Sequence, residues 1–168
     1  MQPVVITIMG KDKTGIVDKV ARCVYQHDGN WQGSSFAYMA GMFTGFVEVL
    51  VPHDKHQALV DALDALPDLS VQAVSLTSEA RPFSDTLTVD VMGNDKPGIV
   101  QELTSTLNQF NLNIVSFDSS CESAPNWGSL MFKATAVIAV PADFNDDALQ
   151  DALENLANDL VVDITTQA

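Results

Sequence analysis

The sequence predicts an α+β protein made of two copies of one β-α-β-β-α-β unit, each a four-stranded antiparallel sheet with two helices on one face. Three observations predict it. The segment Val5–Val17 recurs at Thr88–Val100, an offset of 83 residues, with Met, Gly, Asp, Lys, Gly, Ile and Val in the same places. A later match sets Leu59-Val60-Asp61-Ala62-Leu63 and Leu66 against Leu149-Gln150-Asp151-Ala152-Leu153 and Leu156, at an offset of 90. Within each copy the apolar period changes from that of a strand to that of a helix and back, twice. The growing offset places an insertion in the second copy, around Glu122–Gly128. The polar, proline-bearing stretch Thr77–Ser84 reads as a linker, which sets a first domain at 1–77, a linker at 78–85 and a second domain at 86–168. Two long copies exclude a solenoid, which needs at least three shorter ones.

Each element has a local reason. Val4, Ile6 and Ile8 alternate with Val5, Thr7 and Met9, and Leu87, Val89 and Val91 alternate with Thr88, Asp90 and Met92. Both read as strands with one apolar face. Gly10–Lys13 and Gly93–Lys96 read as turns. Ile16, Val20 and Val24 then take helical spacing, as do Ile99, Leu103, Leu107 and Phe110, and Gly29-Asn30 and Asn111–Asn113 break those helices. Two strands follow, at Trp31–Met39 and Met42–Val51 around Ala40-Gly41, and at Ile114–Cys121 and Leu130–Val140 around the insertion. Pro52 and Pro141 end them. A second helix carries Leu59, Leu63 and Leu66, or Leu149, Leu153 and Leu156, and a short strand closes each copy at Ser70–Leu76 and Leu160–Ile164. This order is the ferredoxin-like pattern, and right-handed crossovers put both helices on one side of the sheet. Val5, Met9 and Met92 fall on the other side, so a cover is expected there: the other copy or another subunit.

Composition narrows the function. The chain has 168 residues, 46% hydrophobic and 18% charged, which excludes a disordered chain. Its net charge is −14. Such a surface repels phosphates, so direct binding to nucleic acid or to an anionic membrane is disfavoured. The charge is uneven: residues 1–83 hold six basic and nine acidic residues, residues 84–168 two and thirteen. The second half is therefore either an acidic face for a basic partner or an acidic surface kept for solubility. Cys23 and Cys121 form no disulfide framework and no zinc spacing, and their apolar neighbours predict buried, reduced thiols. The first residues lack a basic leader, and no apolar run spans a membrane, so a cytoplasmic protein is expected.

The repeated glycine turn is the motif with a binding mechanism. It joins a strand to the start of a helix, where unpaired amides and the positive end of the dipole suit a small anion such as an amino-acid carboxylate. Gly15 and Gly98 permit close approach, Pro97 suits the first helical turn, and Asp12 and Asp95 are candidate caps that also offer a carboxylate to an ammonium group. A strand-to-helix connection uses a glycine and a cap without any ligand as well, so spacing alone leaves a purely structural role open. Neither a Walker A loop nor a GxGxxG pattern is present.

The paired Met-Gly-x-Asp-Lys-x-Gly-Ile-Val turns on these units resemble tandem ACT domains. The layout of two such domains resembles the glycine cleavage system transcriptional repressor family, over essentially the whole chain. The resemblance implies a regulatory, non-enzymatic protein without a cofactor that binds a small amino acid, glycine by preference, at an interface between domains. By position it implicates Gly10, Asp12, Lys13, Gly15, Ile16, Val17 and Asn30 in the first copy. The second-copy counterparts are Gly93, Asn94, Asp95, Pro97, Gly98, Ile99, Val100 and Asn113. Thr14 stands where the second copy has Pro97, which ranks the second site ahead of the first. The repressor resemblance further implies control of the glycine cleavage operon through a DNA-binding activator protein. An adaptor that binds a partner without a small ligand is the alternative. Exposed sheet edges and the apolar second face predict either a homodimer or two copies that satisfy each other.

Other tempting residues read as structural. His53-Asp54-Lys55-His56 is interrupted by a lysine and reads as a solvated helix start, not a metal site. Gly33-Ser34-Ser35-Phe36 lacks the G-x-S-x-G nucleophile elbow. Met39, Met42 and Phe43 read as core or interface, and Trp127 as a residue of the inserted loop. Asp143–Asp147 lacks EF-hand spacing and reads as an acid-rich helix start. No convergent nucleophile, base or metal set appears, so an enzyme is not expected.

Overall fold

The computed structural model describes residues 1–76, 83, 85–126 and 128–166. The linker at 78–85 falls outside the described residues except for Phe83 and Asp85, and Trp127 also lies outside them. Along the first copy run β1 (Gln2–Lys11), α1 (Ile16–Gln26), β2 (Asn30–Met39), β3 (Met42–Val51), α2 (His56–Asp64) and β4 (Leu69–Ser75). The second copy has β5 (Asp85–Asn94), α3 (Ile99–Gln109), β6 (Asn113–Ser123), β7 (Leu130–Val140), α4 (Asp146–Glu154) and β8 (Val161–Thr166). The sheets have the strand orders β2-β3-β1-β4 and β6-β7-β5-β8, with every pairing antiparallel. This is the ferredoxin-type arrangement twice over. The chain divides into two units, Met1–Ala80 and Arg81–Ala168, each with its own core.

In the first unit Val4, Ile6 and Ile8 of β1 and Val47, Val49 and Val51 of β3 are fully buried. They lie against Ile16, Val20 and Val24 of α1 and Leu59 and Leu63 of α2. Both helices therefore cover one face of the sheet. The second unit repeats the scheme with Leu87, Val89 and Val91, Ala134, Ala136 and Ile138, Leu103 and Leu107, and Leu149 and Leu153. Fully burying one such side chain contributes about 1.5–3 kcal/mol, and these stripes are what hold each helix to its sheet.

The opposite faces differ in chemistry. In the first unit Met9, Phe46 and Val74 are about half exposed. In the second, Asp90 stands across from Thr135, with Asp163 beside it on β8.

Two details depart from the expectation. Gly10 and Gly93 are not turn residues: β1 and β5 continue through them, with Gly10 paired to Phe43 and Leu69, and Gly93 to Phe132. Cys121 is exposed rather than buried, while Cys23 packs partly into the first core. The acid-rich segment does start a helix, with the Asn145 side chain accepting from the Ala148 amide at 3.3 Å. The histidines at 53 and 56 are engaged by Gln2 and Ser75, each at 2.7 Å.

Candidate functional site

Four residues, Asp12 to Gly15, connect β1 to α1, and Asp95 to Gly98 connect β5 to α3. Both glycines sit at the helix N-cap in the left-handed region, Gly15 at φ 88° and ψ 12°, Gly98 at φ 86° and ψ 1°. The Ile99 amide donates to the Lys96 carbonyl at 3.3 Å. That bond, with left-handed Gly98 in the third position and Pro97 in the second, defines a type II turn. Pro97 thus precedes the helix instead of opening its first turn, and its role is to preset the turn. Gly15 and Gly98 themselves hold the N-cap positions, so Asp12 and Asp95, three residues earlier, do not occupy them. Their amides instead donate to the carbonyls of Gly41 (3.2 Å) and Leu130 (2.9 Å), which ties each turn to the neighbouring hairpin.

The first intrahelical donors are Lys19, to Gly15 at 3.1 Å, and Glu102, to Gly98 at 3.0 Å. The amides ahead of them have no partner within the helix and carry the positive end of its dipole. A Cβ built at Gly15 or Gly98 would meet no atom within 4 Å, so the approach to each turn is open. Here glycine is required by the positive φ and not by crowding.

The remaining predicted residues scatter. Gly10 and Gly93 belong to packing: a Cβ at Gly10 would lie 2.6 Å from the Asp68 carbonyl oxygen, and one at Gly93 2.8 Å from the Leu160 side chain. Ile16 and Ile99 point into the cores. Val17 and Val100 are exposed beside the turns, along with Asp12, Lys13, Asn94 and Asp95. Asn30 and Asn113 open β2 and β6, but they stand at the far end of their sheets. Asn30 lies level with Leu50 and Pro3, and Asn113 with Ala139 and Thr86, each eight residues back along the central strand from Lys11 or Asn94. At about 3.4 Å per residue neither asparagine shares a site with the turn of its own unit.

Charged neighbours that the sequence pattern did not mark complete each turn. Lys13 hydrogen-bonds and ion-pairs with Asp68, a residue in the left-handed conformation at φ 66° just before β4. Lys13, first by its hydrogen bond and then by its charge, with Lys19 and Lys11 behind it, holds the Asp68 carboxyl below the ordinary carboxylate range. In the second unit the Asp159 carboxylate accepts from the Asn94 amide at 3.0 Å, and that bond lowers its pKa. Lys96 is paired with Glu102 at 2.7 Å and reaches the Leu156 carbonyl at 3.4 Å. Partial desolvation, with the charge of Asp95 beside it, pushes the Cys121 thiol up. The Asp-Leu pair at 68–69 and 159–160 recurs between the copies and was the one available signal for these acids.

At the first turn the surface forms a recess of about 10 Å³ bounded by Lys11, Lys13, Lys19, Ile16 and Asp68. This is room for about one water, so a ligand lies on the recess and not inside it. Wider concavities lie elsewhere, on the open face of the second sheet: one of about 290 Å³ beside Asp90, Met92, Lys133 and Asp163, and one of about 240 Å³ beside Asp118, Ser120 and Lys133. They are lined by residues of the sheet strands and lie away from the two glycine turns. Among the described residues no three His, Cys, Asp or Glu side chains converge on a metal position, and no helix is long and apolar enough to cross a membrane.

A family model for the ACT domain matches residues 2–74 and again 85–167. No curated protein matches the sequence. Among solved structures, an unknown protein from Galdieria sulphuraria has a TM-score of 0.85 at 24% identity, over 99% of each chain. A protein provisionally named a glycine cleavage system transcriptional repressor has a TM-score of 0.72 at 23% identity, over 99% of this chain and 97% of its own. Both share the fold along the full length of the chain.

Proposed function

The chain belongs to the ACT domain family, and from that premise we propose that it is a cytoplasmic regulatory protein, not an enzyme, that senses a small amino acid. Glycine is the favoured ligand. The regulated target is the glycine cleavage system, repressed through a DNA-binding activator and not by contact with DNA. One observation carries the reading: in both units the helix N-cap is a left-handed glycine with no side-chain cap, and a Cβ built on that glycine would meet nothing within 4 Å. The first amides of each helix match a carboxylate, and Lys13 and Lys19 beside the first turn add charge of the right sign. The net charge of −14 favours an indirect route to the promoter. A full-length tandem fold like that of the provisionally named repressor fits this role.

Thermal melting against a panel of amino acids tests the sensor. A ligand at 100 times its Kd adds about 2.7 kcal/mol, so one amino acid should raise Tm by several degrees. No shift with any of them, glycine included, would refute sensing. For the indirect route, the protein alone should leave promoter DNA unretarded, and retardation without the activator would refute it. The adaptor is the second reading. Its support is the half-exposed Met9, Phe46 and Val74 on the open face of the first sheet, a surface suited to a protein partner or a second copy of the chain.

A further inference from the structure

The open faces of the two sheets share a register but not a charge. The middle row of the first reads Ser35, Phe46, Thr7 and Gln72 across β2, β3, β1 and β4. The same row of the second reads Asp118, Thr135, Asp90 and Asp163 across β6, β7, β5 and β8. Three acids stand there, where the first sheet has none. The rows flanking Thr7 add Met9 and Val74, which like Phe46 are about half exposed, and a single charge, Glu48. A row of carboxylates keeps a sheet face in water, whereas a continuous apolar face without one marks a surface that another molecule covers.

We propose that the open face of the first sheet is the contact surface of a symmetric homodimer, covered by the same face of a second copy of this chain, and that the row of acids keeps the second sheet out of that contact. Charge narrows the occupant. An acidic surface would bring carboxylates against Met9, Phe46 and Val74 with no basic group there to replace their water. A strongly basic surface would find one carboxylate, Glu48, in these rows. What fits is an uncharged apolar face of equal width, and a second copy supplies it. A twofold axis along the middle row sets Phe46 over its own counterpart and lays the row of Glu48 over the row of Met9, so the two carboxylates do not meet. The wider charge agrees. Residues 1–83 hold six basic and nine acidic residues, against two and thirteen in residues 84–168, so self-contact through the first unit brings the least like charge together. The size also suffices. Four strands and the run from Pro3 to Lys11 give a face of about 19 by 27 Å. Two such faces cover about 1,000 Å² in total, where specific interfaces begin. The inference is independent of the sensing reading, and it fills the face on which the adaptor reading rests.

The test is sedimentation velocity of the full chain over a wide range of concentration. It should show a reversible monomer–dimer equilibrium that tightens with added salt, because the contact is apolar and the residual repulsion is screened. Thr7→Asp installs the residue of the second sheet at an exposed position. It should weaken the dimer about tenfold or more, since it sets two like charges against each other at the axis, and the dilute monomer should keep the circular dichroism of the parent fold. Phe46→Thr, again the residue of the second sheet, should weaken the dimer without adding charge. Asp90→Asn on the second sheet should leave the dimer constant unmoved. A monomer at every concentration would overturn the proposal and leave the face to a different protein. A dimer that neither Thr7→Asp nor Phe46→Thr weakens, or that Asp90→Asn shifts as far as they do, would overturn it as well.

Discussion

Replacing Gly15 by alanine separates the two reasons a glycine appears in this fold. At φ 88° an L-residue is strained, and the added Cβ meets no atom within 4 Å, so the penalty is conformational alone. That penalty is about 1–2 kcal/mol. For a unit of this size it lowers Tm by about 4–8 °C per kcal/mol. Gly15→Asn should recover part of the loss, because asparagine visits the left-handed region more readily. Gly10→Ala has a different cause. Its Cβ would lie 2.6 Å from the Asp68 carbonyl oxygen and 2.7 Å from the Leu69 side chain, and the first of these is backbone. β4 must shift, which costs about 1–3 kcal/mol as overpacking, and Gly10→Asn should be worse than alanine. Differential scanning calorimetry of the four variants reads these values directly. Equal losses for alanine and asparagine at position 15, or asparagine rescue at position 10, would refute this division of the glycines.

Further variants test other parts of the fold. Ala40 and Gly41 join β2 to β3 with both residues at positive φ, 49° and 86°, the pattern of a type I′ turn that prefers Asn-Gly; Ala40→Asn should therefore raise the first unit's Tm by a few degrees, and a fall would count against the turn assignment. The folded pKa of Asp68 is depressed, so its contribution is present above the unfolded carboxylate pKa and is lost as pH falls through the lower folded value; Asp68→Asn should flatten stability across that acid window and leave neutral pH nearly unchanged in slope, as followed by pH-dependent melting. The Cys121 thiol is held protonated by partial desolvation and by Asp95, so alkylation at neutral pH should be slow for an exposed cysteine, and Asp95→Asn should speed it. Leu149 is fully buried; Leu149→Ala should cost about 2–5 kcal/mol, read by denaturant titration, and a loss below 1 kcal/mol would mean that α4 is not seated as described.

Where the chain punctuates itself locally, the sequence suffices. β3 spans Met42–Val51 as expected because Ala40-Gly41 starts it and Pro52 stops it, and β7 spans Leu130–Val140 because Pro141 does the same. The insertion also lies where the offset puts it, as the longer connection between β6 and β7. Where the cause is distant in sequence, the reading stops short. Gly10 looks like a turn residue until β4 is placed against it, since only then does the Asp68 carbonyl crowd its Cα. Asp12 looks like a cap until Gly15 is seen to hold the N-cap position itself. Register shifts in β2 between Trp31 and Gly33, and in β6 between Ile114 and Ser116, occupy equivalent places with Gln32 and Val115 as the extra residues. Two side chains so unlike carry no common signal for a bulge. The resemblance implicates Asn30 and Asn113 by position, but a helix of 11 residues returns the chain to the far end of the sheet.

A duplicated motif is weaker evidence for binding than its repetition implies. The positions that agree between the copies are mostly those the backbone requires: Gly10 and Gly93 under the crowding of β4 and β8, Gly15 and Gly98 at positive φ, Ile16 and Ile99 in the cores. In this chain the backbone and the cores require them whether or not a ligand binds. The positions exposed to another molecule have diverged. Lys11 faces Asn94 in the comparison, Lys19 faces Glu102, Thr7 on the open sheet face becomes Asp90, and Phe46 across from it becomes Thr135. Shared residues therefore locate the scaffold, and unshared ones locate the work. By that criterion the two open faces present different surfaces, apolar at Met9, Phe46 and Val74 in the first unit and acidic at Asp90 and Asp163 in the second.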